Sequence, residues 1–228
     1  MTGSLVLDGI ELVIGGRQIL HPMSLEFRSG EVTAVSGPSG SGKTSMLSVA
    51  GGLLAPTAGT ATYDGRATWG GDGDPPSEVA FVLQVYGLVP ILTARENVAI
   101  ALRARGADVA TVDERAGAAL DRFHIGDLGE RQVEELSGGQ MQRVACARAF
   151  VAGAAVLLAD EPTSELDEGN REHVMAELRI EARRGAVVVV ATHDSAVVDA
   201  SDRHFVIDEG MLTDRIAPVG RHRSALRG

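Results

Sequence analysis

The 228-residue sequence predicts an α/β fold with a mainly parallel sheet core, a β-rich N-terminal part and an inserted helical subdomain. Three observations carry that expectation. Short apolar runs alternate with helical stretches, the pattern of parallel strands joined by crossover helices. A glycine-rich loop, Gly37 to Gly42, falls between one such run and a helix. From Thr93 to Phe150 the strand pattern gives way to helices alone.

Taken in order, residues 5–12 and 19–27 read as strands separated by a Gly15-Gly16 turn. Residues 31–36 form a short apolar strand running directly into the glycine-rich loop, and 43–52 a helix that Gly51-Gly52 ends. Strands follow at 59–63 and 78–84. Between them, residues 65–77 are rich in Gly, Asp and Pro and read as a mobile surface loop. In the helical subdomain, about 85–152, Thr93-Ala94-Arg95-Glu96 and Ser137-Gly138-Gly139-Gln140 have the spacing of capping boxes. Strands return at 155–160 and 186–191, on either side of a helix at 167–184, and a last strand covers 203–208. With no internal repeat, residues 1–228 read as one domain ending in a tail from about residue 211.

Composition narrows the function. Hydrophobic residues make up 44% and charged residues 23%, ordinary for a globular chain. Apolar runs such as 186–191 fall far short of the ~20 residues that span a bilayer. Met1-Thr2-Gly3-Ser4 lacks the basic start of a secretory signal, so a cytoplasmic location is expected. The single cysteine, Cys146, raises no question of disulfides and reads as a small buried residue. A net charge of -10 argues against a general nucleic-acid binder. Arg215, Arg221, Arg223 and Arg227 make the tail locally basic. A solvated tail is the plain reading, and contact with anionic lipid headgroups the alternative.

The chemistry starts at Gly37-Pro38-Ser39-Gly40-Ser41-Gly42-Lys43-Thr44, with Ser45 next in the helix. Glycines at this spacing let backbone amides and a helix N-terminus wrap phosphates. Lys43 then reaches the β- and γ-phosphates, and the Thr44 hydroxyl ligates Mg²⁺. An ordinary Gly-Ser turn would lack the Lys-Thr pair and the flanking strand and helix. Asp160 and Glu161 end the run 155–159. A carboxylate at the C-terminal edge of a parallel sheet lies beside such a loop, where Asp160 holds hydrated Mg²⁺ and Glu161 serves as general base. A solvated acidic pair is the competing reading, which the following Pro162-Thr163-Ser164-Glu165-Leu166-Asp167 disfavours. Leu136 to Gln140 open a further helix, and its N-terminal amides with the Ser137 hydroxyl make a second anion site.

Those stretches, with Thr192-His193-Asp194, resemble the ATP-binding cassette (ABC) family of P-loop ATPases from about Leu5 to Asp208. The resemblance implies that Gln84 ligates Mg²⁺ and that His193 contacts the γ-phosphate and orients water near Glu161. It assigns Asp167 to a loop communicating between two nucleotide sites. It also implies a head-to-tail dimer, of identical or related cassettes. Two ATP molecules would lie between the Lys43 loop of one copy and Ser137, Gly138, Gly139 and Gln140 of the other. One position departs from the family: the aromatic residue that stacks on adenine falls at Ile14, which would lay the base on an aliphatic surface. Val85 to Val98 is similar to the lipoprotein-release and macrolide-exporter subfamily. There a separate membrane permease docks near the positions of Tyr86 to Leu92, which implies export or mechanotransmission at the inner face of the membrane. A non-transport scaffold cassette and an importer ATPase are the competing readings.

Overall fold

A computed structural model describes residues 3–216 of the chain. β1 (Ser4–Ile14) and β2 (Arg17–Arg28) form an antiparallel hairpin closed by Gly15 and Gly16, both at positive φ. β3 (Val32–Ser36) leads through the glycine-rich loop into α1 (Lys43–Ala50). β4 (Ala58–Tyr63) pairs with β1, and β5 (Arg66–Ala67) adds two residues at the edge of the resulting sheet, in order β2-β1-β4-β5. That short strand lies where sequence reading expects only loop. β6 (Val79–Val82) precedes α2 (Ala94–Ala104), α3 (Val109–Arg122) and α4 (Gly138–Val151). Then come β7 (Val156–Asp160), α5 (Glu168–Arg183), β8 (Val187–Thr192), α6 (Ser195–Asp199), β9 (Arg203–Asp208) and β10 (Met211–Ile216).

The second sheet has six strands in the order β10-β9-β3-β8-β7-β6, parallel throughout except for β10. Its central strands are buried on both faces, which explains the unbroken run of valines in β8. Alternation survives inside that run. Val187, Val189 and Ala191 face the antiparallel sheet and α1, whereas Val188 and Val190 face the core that α2, α3, α4 and α5 share.

Both expected capping boxes form. The Thr93 and Glu96 side chains satisfy each other's backbone amides at the start of α2, as Ser137 and Gln140 do at α4. Cys146 is fully buried, and burial pushes its thiol up to about 12.

At the C-terminal end, residues 211–216, counted with the tail in the sequence, form β10. Glu209 and Gly210 both adopt positive φ and turn the chain back onto β9. The basic stretch at 217–228 lies outside the described residues. Among the described residues, no helix is long and apolar enough to cross a membrane.

Candidate nucleotide-binding site

Neighbouring strands bring distant motifs together. Ser36 at the end of β3 is level with Thr192 at the end of β8, and Asp160 at the end of β7 is level with Ala191. The carboxyl ends of adjacent parallel strands are where ligands bind in open α/β sheets. Here they surround a cavity of about 320 Å³, lined by Ser39, Gly40, Lys43 and Thr44 of the first loop, Gln84, Asp160, Glu161, Ser164 and His193.

The loop is built for close approach. A Cβ on Gly37 would run into the Ile207 carbonyl, so only glycine lets the loop press against the end of β9. Lys43 is nearly buried, and its Nζ donates to the carbonyls of Gly37 at 2.8 Å and Pro38 at 3.0 Å. Two carbonyl dipoles hold an ammonium less firmly than phosphate oxygens do, so this cation is available to an anion entering the loop.

The Thr44 hydroxyl donates to Asp160 Oδ2 at 2.6 Å. Burial pushes the Asp160 carboxyl up from its ordinary range. The Thr44 hydrogen bond opposes that shift, the Glu161 charge adds to it, and Lys43 opposes it. A buried carboxylate beside a hydroxyl, with its charge only partly compensated, is an oxygen donor pair suited to a small hard cation. The residues present therefore fit Mg²⁺, with Thr44 and Asp160 as ligands and Gln84 on the same cavity wall.

Glu161 is held from several sides. Its backbone sits at φ 50, a strained conformation for a side chain of this size. Its amide donates to the Ala191 carbonyl at 2.9 Å, which anchors that strain to β8. Thr192 Oγ1 donates to Oε2 at 3.3 Å, and His193 Nδ1 lies 2.7 Å from Oε1. With the carboxylate ionised, Nδ1 carries the proton in that pair. The Glu161 side chain is almost buried, while that of His193 is 70% exposed.

Other expected site residues stand apart from this cavity. Ser137, Gly138, Gly139 and Gln140 do not line it, and the Ser137 hydroxyl accepts from the Gln140 amide of its own helix. Asp167 caps α5 through the Asn170 amide and side chain, both at 2.9 Å, and those hydrogen bonds hold its carboxyl below the usual range. Ile14 ends β1 with half of its surface exposed, also outside the cavity. Three supporting residues escaped the sequence reading. Thr192 and Ser164 bond Glu161, and Arg171 pairs with Asp194 at 3.1 Å, next to His193. Thr192 and Ser164 lie in stretches quoted beside His193 and Glu161, whereas the sequence carries no signal for Arg171.

Comparison with known proteins gives the family. The profile of the ABC transporter family matches residues 20–164. The macrolide export ATP-binding/permease protein MacB of Brucella melitensis is 38% identical over 200 residues, covering 86% of this chain and 31% of that protein. The chain thus spans about a third of the length of such macrolide-export relatives. The lipoprotein-releasing system ATP-binding protein LolD of Bacteroides thetaiotaomicron is 36% identical over 214 residues, covering 90% of this chain and 97% of that one. The dimeric post-hydrolysis structure of the ATP-binding cassette MJ0796, bound to ADP and Pi, superposes with a TM-score of 0.87 at 32% identity. That match covers 95% of this chain and 99% of the other. On sequence and fold alike, the chain belongs to the ABC transporter family, as one of its ATP-binding cassettes.

Proposed function

We propose that the chain binds Mg-ATP at the cavity between the Lys43 loop and Glu161 and hydrolyses it to ADP and phosphate to drive a separate membrane permease. The observation that carries this reading is the seating of Glu161 beside Lys43, Thr44 and Asp160, held by Thr192 and His193. Glu161 accepts the proton of the attacking water, and His193 orients that water. Lys43 and the loop amides hold the phosphates in line. Mg²⁺, when bound by Thr44, Asp160 and Gln84, supplies charge neutralisation at the phosphate oxygens.

The start of α4 lies outside the Lys43 cavity, and its capping box engages the Ser137 and Gln140 amides rather than those of Gly138 and Gly139, which leaves that end to face a second molecule. We assign Ser137, Gly138, Gly139 and Gln140 to the nucleotide of a partner cassette, identical or related, and Asp167 to the contact between the two sites. The MJ0796 cassette forms dimers, which supports that arrangement. Residues 1–228 act in this reading as one ATP-binding domain, with the helical subdomain at about 85–152. The permease docks near Tyr86 to Leu92, where Val85 is 82% and Ile91 73% exposed. Beside them opens a groove of about 720 Å³, lined among others by Phe81, Ala101, Arg105 and Arg148. The subunit then sits at the inner face of the membrane through the permease. The names of the relatives, macrolide export and lipoprotein release, favour export or mechanotransmission.

Glu161→Gln tests the chemistry. It keeps the shape and loses the base, so Mg-ATP binding persists while steady-state turnover falls by about 10²- to 10⁴-fold. Near-normal turnover would remove Glu161 from the base role.

A further inference from the structure

Arg148 is a half-buried charge for which the proposed chemistry has no use. It lies on the last full turn of α4, and burial alone lowers its pKa, with no carboxylate opposing the shift. Instead of an acid it grips a turn of the docking loop. Nη1 donates to the Gly87 carbonyl at 2.5 Å and Nη2 to the Tyr86 carbonyl at 2.6 Å. Those two residues are consecutive and both left-handed, Tyr86 at φ 58 and Gly87 at φ 61. A non-glycine residue in that conformation is strained and persists only where its surroundings hold it. The guanidinium fork holds it from α4, beside the turn's own bond from the Tyr86 amide to the Leu83 carbonyl at 2.9 Å.

The same tyrosine also reaches the other end of the helix. A Cβ added to Gly138, in the first turn of α4, would stand 3.5 Å from the Tyr86 hydroxyl. Arg148 lies ten residues further on, about 15 Å along the axis. Helical side chains lean toward the N-terminus, so Arg148 reaches back along α4 to the Tyr86 carbonyl, and the Tyr86 ring continues in the same direction toward Gly138. Tyr86 is thereby fastened along one flank of the helix that begins at Ser137. Arg148 also lines the 720 Å³ groove beside α2, so whatever enters that groove meets it directly.

We propose that Arg148 is a positioning residue that straps the Tyr86-Gly87 turn to α4, so that displacing the docking loop moves the amides at the start of that helix without passing through the Lys43 cavity. The purpose of the strap rests on the docking role assigned above to Tyr86 to Leu92. Its existence does not.

Gly87 offers a lever. A Cβ there would meet Leu83 Cδ1 at 3.1 Å and Arg148 Nη2 at 3.3 Å, at a positive φ that alanine adopts poorly. The test is a double-mutant cycle on the full chain without nucleotide, read by amide hydrogen exchange at residues 138–143. Gly87→Ala speeds exchange there by about tenfold when Arg148 is present, and by less than about twofold in Arg148→Lys, whose ammonium cannot bridge two carbonyls as a fork. A merely structural Arg148 would give the same factor in both backgrounds, and that result overturns the strap. Should Arg148→Lys fail to fold, Gly87→Ala alone decides. Faster exchange at 138–143 with α3 unchanged supports the strap, and no change at 138–143 overturns it. Because no ATP is added, failure here is distinct from failure of the proposed hydrolysis.

Discussion

The sheet edge that carries Asp160 and Glu161 and the helical region that carries the Tyr86 to Leu92 loop are positioned by different means. At the sheet edge the backbone does the work. β7 and β8 are buried on both faces, their parallel ladder fixes register, and the reactive side chains project from strand ends. In the helical region, side chains of distant residues hold the backbone. Fully buried Asn97 donates to the carbonyls of Val89, Leu92 and Thr93 and accepts from the Val89 amide at 2.7 Å. Arg143 donates to the carbonyls of Phe123 and His124 at 3.2 and 3.0 Å. Arg122, ending α3, pairs with Glu177 and Glu181 of α5, and its carbonyl lies 2.6 Å from His173 Nε2. A ladder fails only as a whole, whereas a few forks release a segment that stays folded within itself. The difference separates a centre fixed by strand ladders from a region fixed by a few side-chain contacts.

The sharpest way to break that comparison is Asn97→Ala. It strips the Val89 amide and three carbonyls of their partner, which costs about 2 kcal/mol and about 6 °C of melting temperature at this chain length. Calorimetric titration should find ATP affinity unchanged, because the Lys43 cavity is held by the sheet. Loss of affinity without loss of stability would reverse the assignment.

A smaller effect concerns Asp160. Its folded pKa is raised chiefly by burial, so this group stabilises the chain at low pH. That contribution is fully present below the ordinary carboxylate range and is lost as pH rises through the raised value. Asp160→Asn cannot ionise. As pH rises from the ordinary carboxylate range toward neutrality, its melting temperature, without nucleotide, should therefore gain on that of the parent chain. A gap independent of pH would mean that Asp160 carries no burial penalty. The smallest change is expected at Ile14. Ile14→Tyr restores a ring to stack on adenine, worth about 0.5–1.5 kcal/mol, or roughly 2- to 10-fold in ATP affinity. An unchanged affinity would show that adenine does not rest there.

The same contrast governs what the sequence reveals. The ladder-built half is legible, because apolar runs and the Gly37 to Thr44 spacing are local signals that the structure reproduces; in the helical region only the two capping boxes are local in that way. Fork-built features are hidden, because Asn97, Arg122 and Arg148 read as ordinary helical residues until the chain folds. Arg148 and Gly87 lie 61 residues apart, and no periodicity links them. Two further omissions have local causes. α6 covers only five residues, too few for a helical repeat to show, and it is capped by Asp194 next to His193. β10 depends on the Glu209-Gly210 turn, a weaker signal than Asn-Gly. Where the chain brings Gln84, Asp160 and His193 to one cavity is a property of strand order, which motifs alone do not specify.

The central claim is that two such chains complete each other's sites, the Lys43 loop of one facing Ser137 of the other. Sedimentation velocity of the Glu161→Gln chain with and without saturating Mg-ATP tests it most directly. A nucleotide-dependent shift from monomer to dimer, abolished by a further Ser137→Arg substitution, is the expected result. A chain that stays monomeric under those conditions, alone and beside its permease, would contradict it.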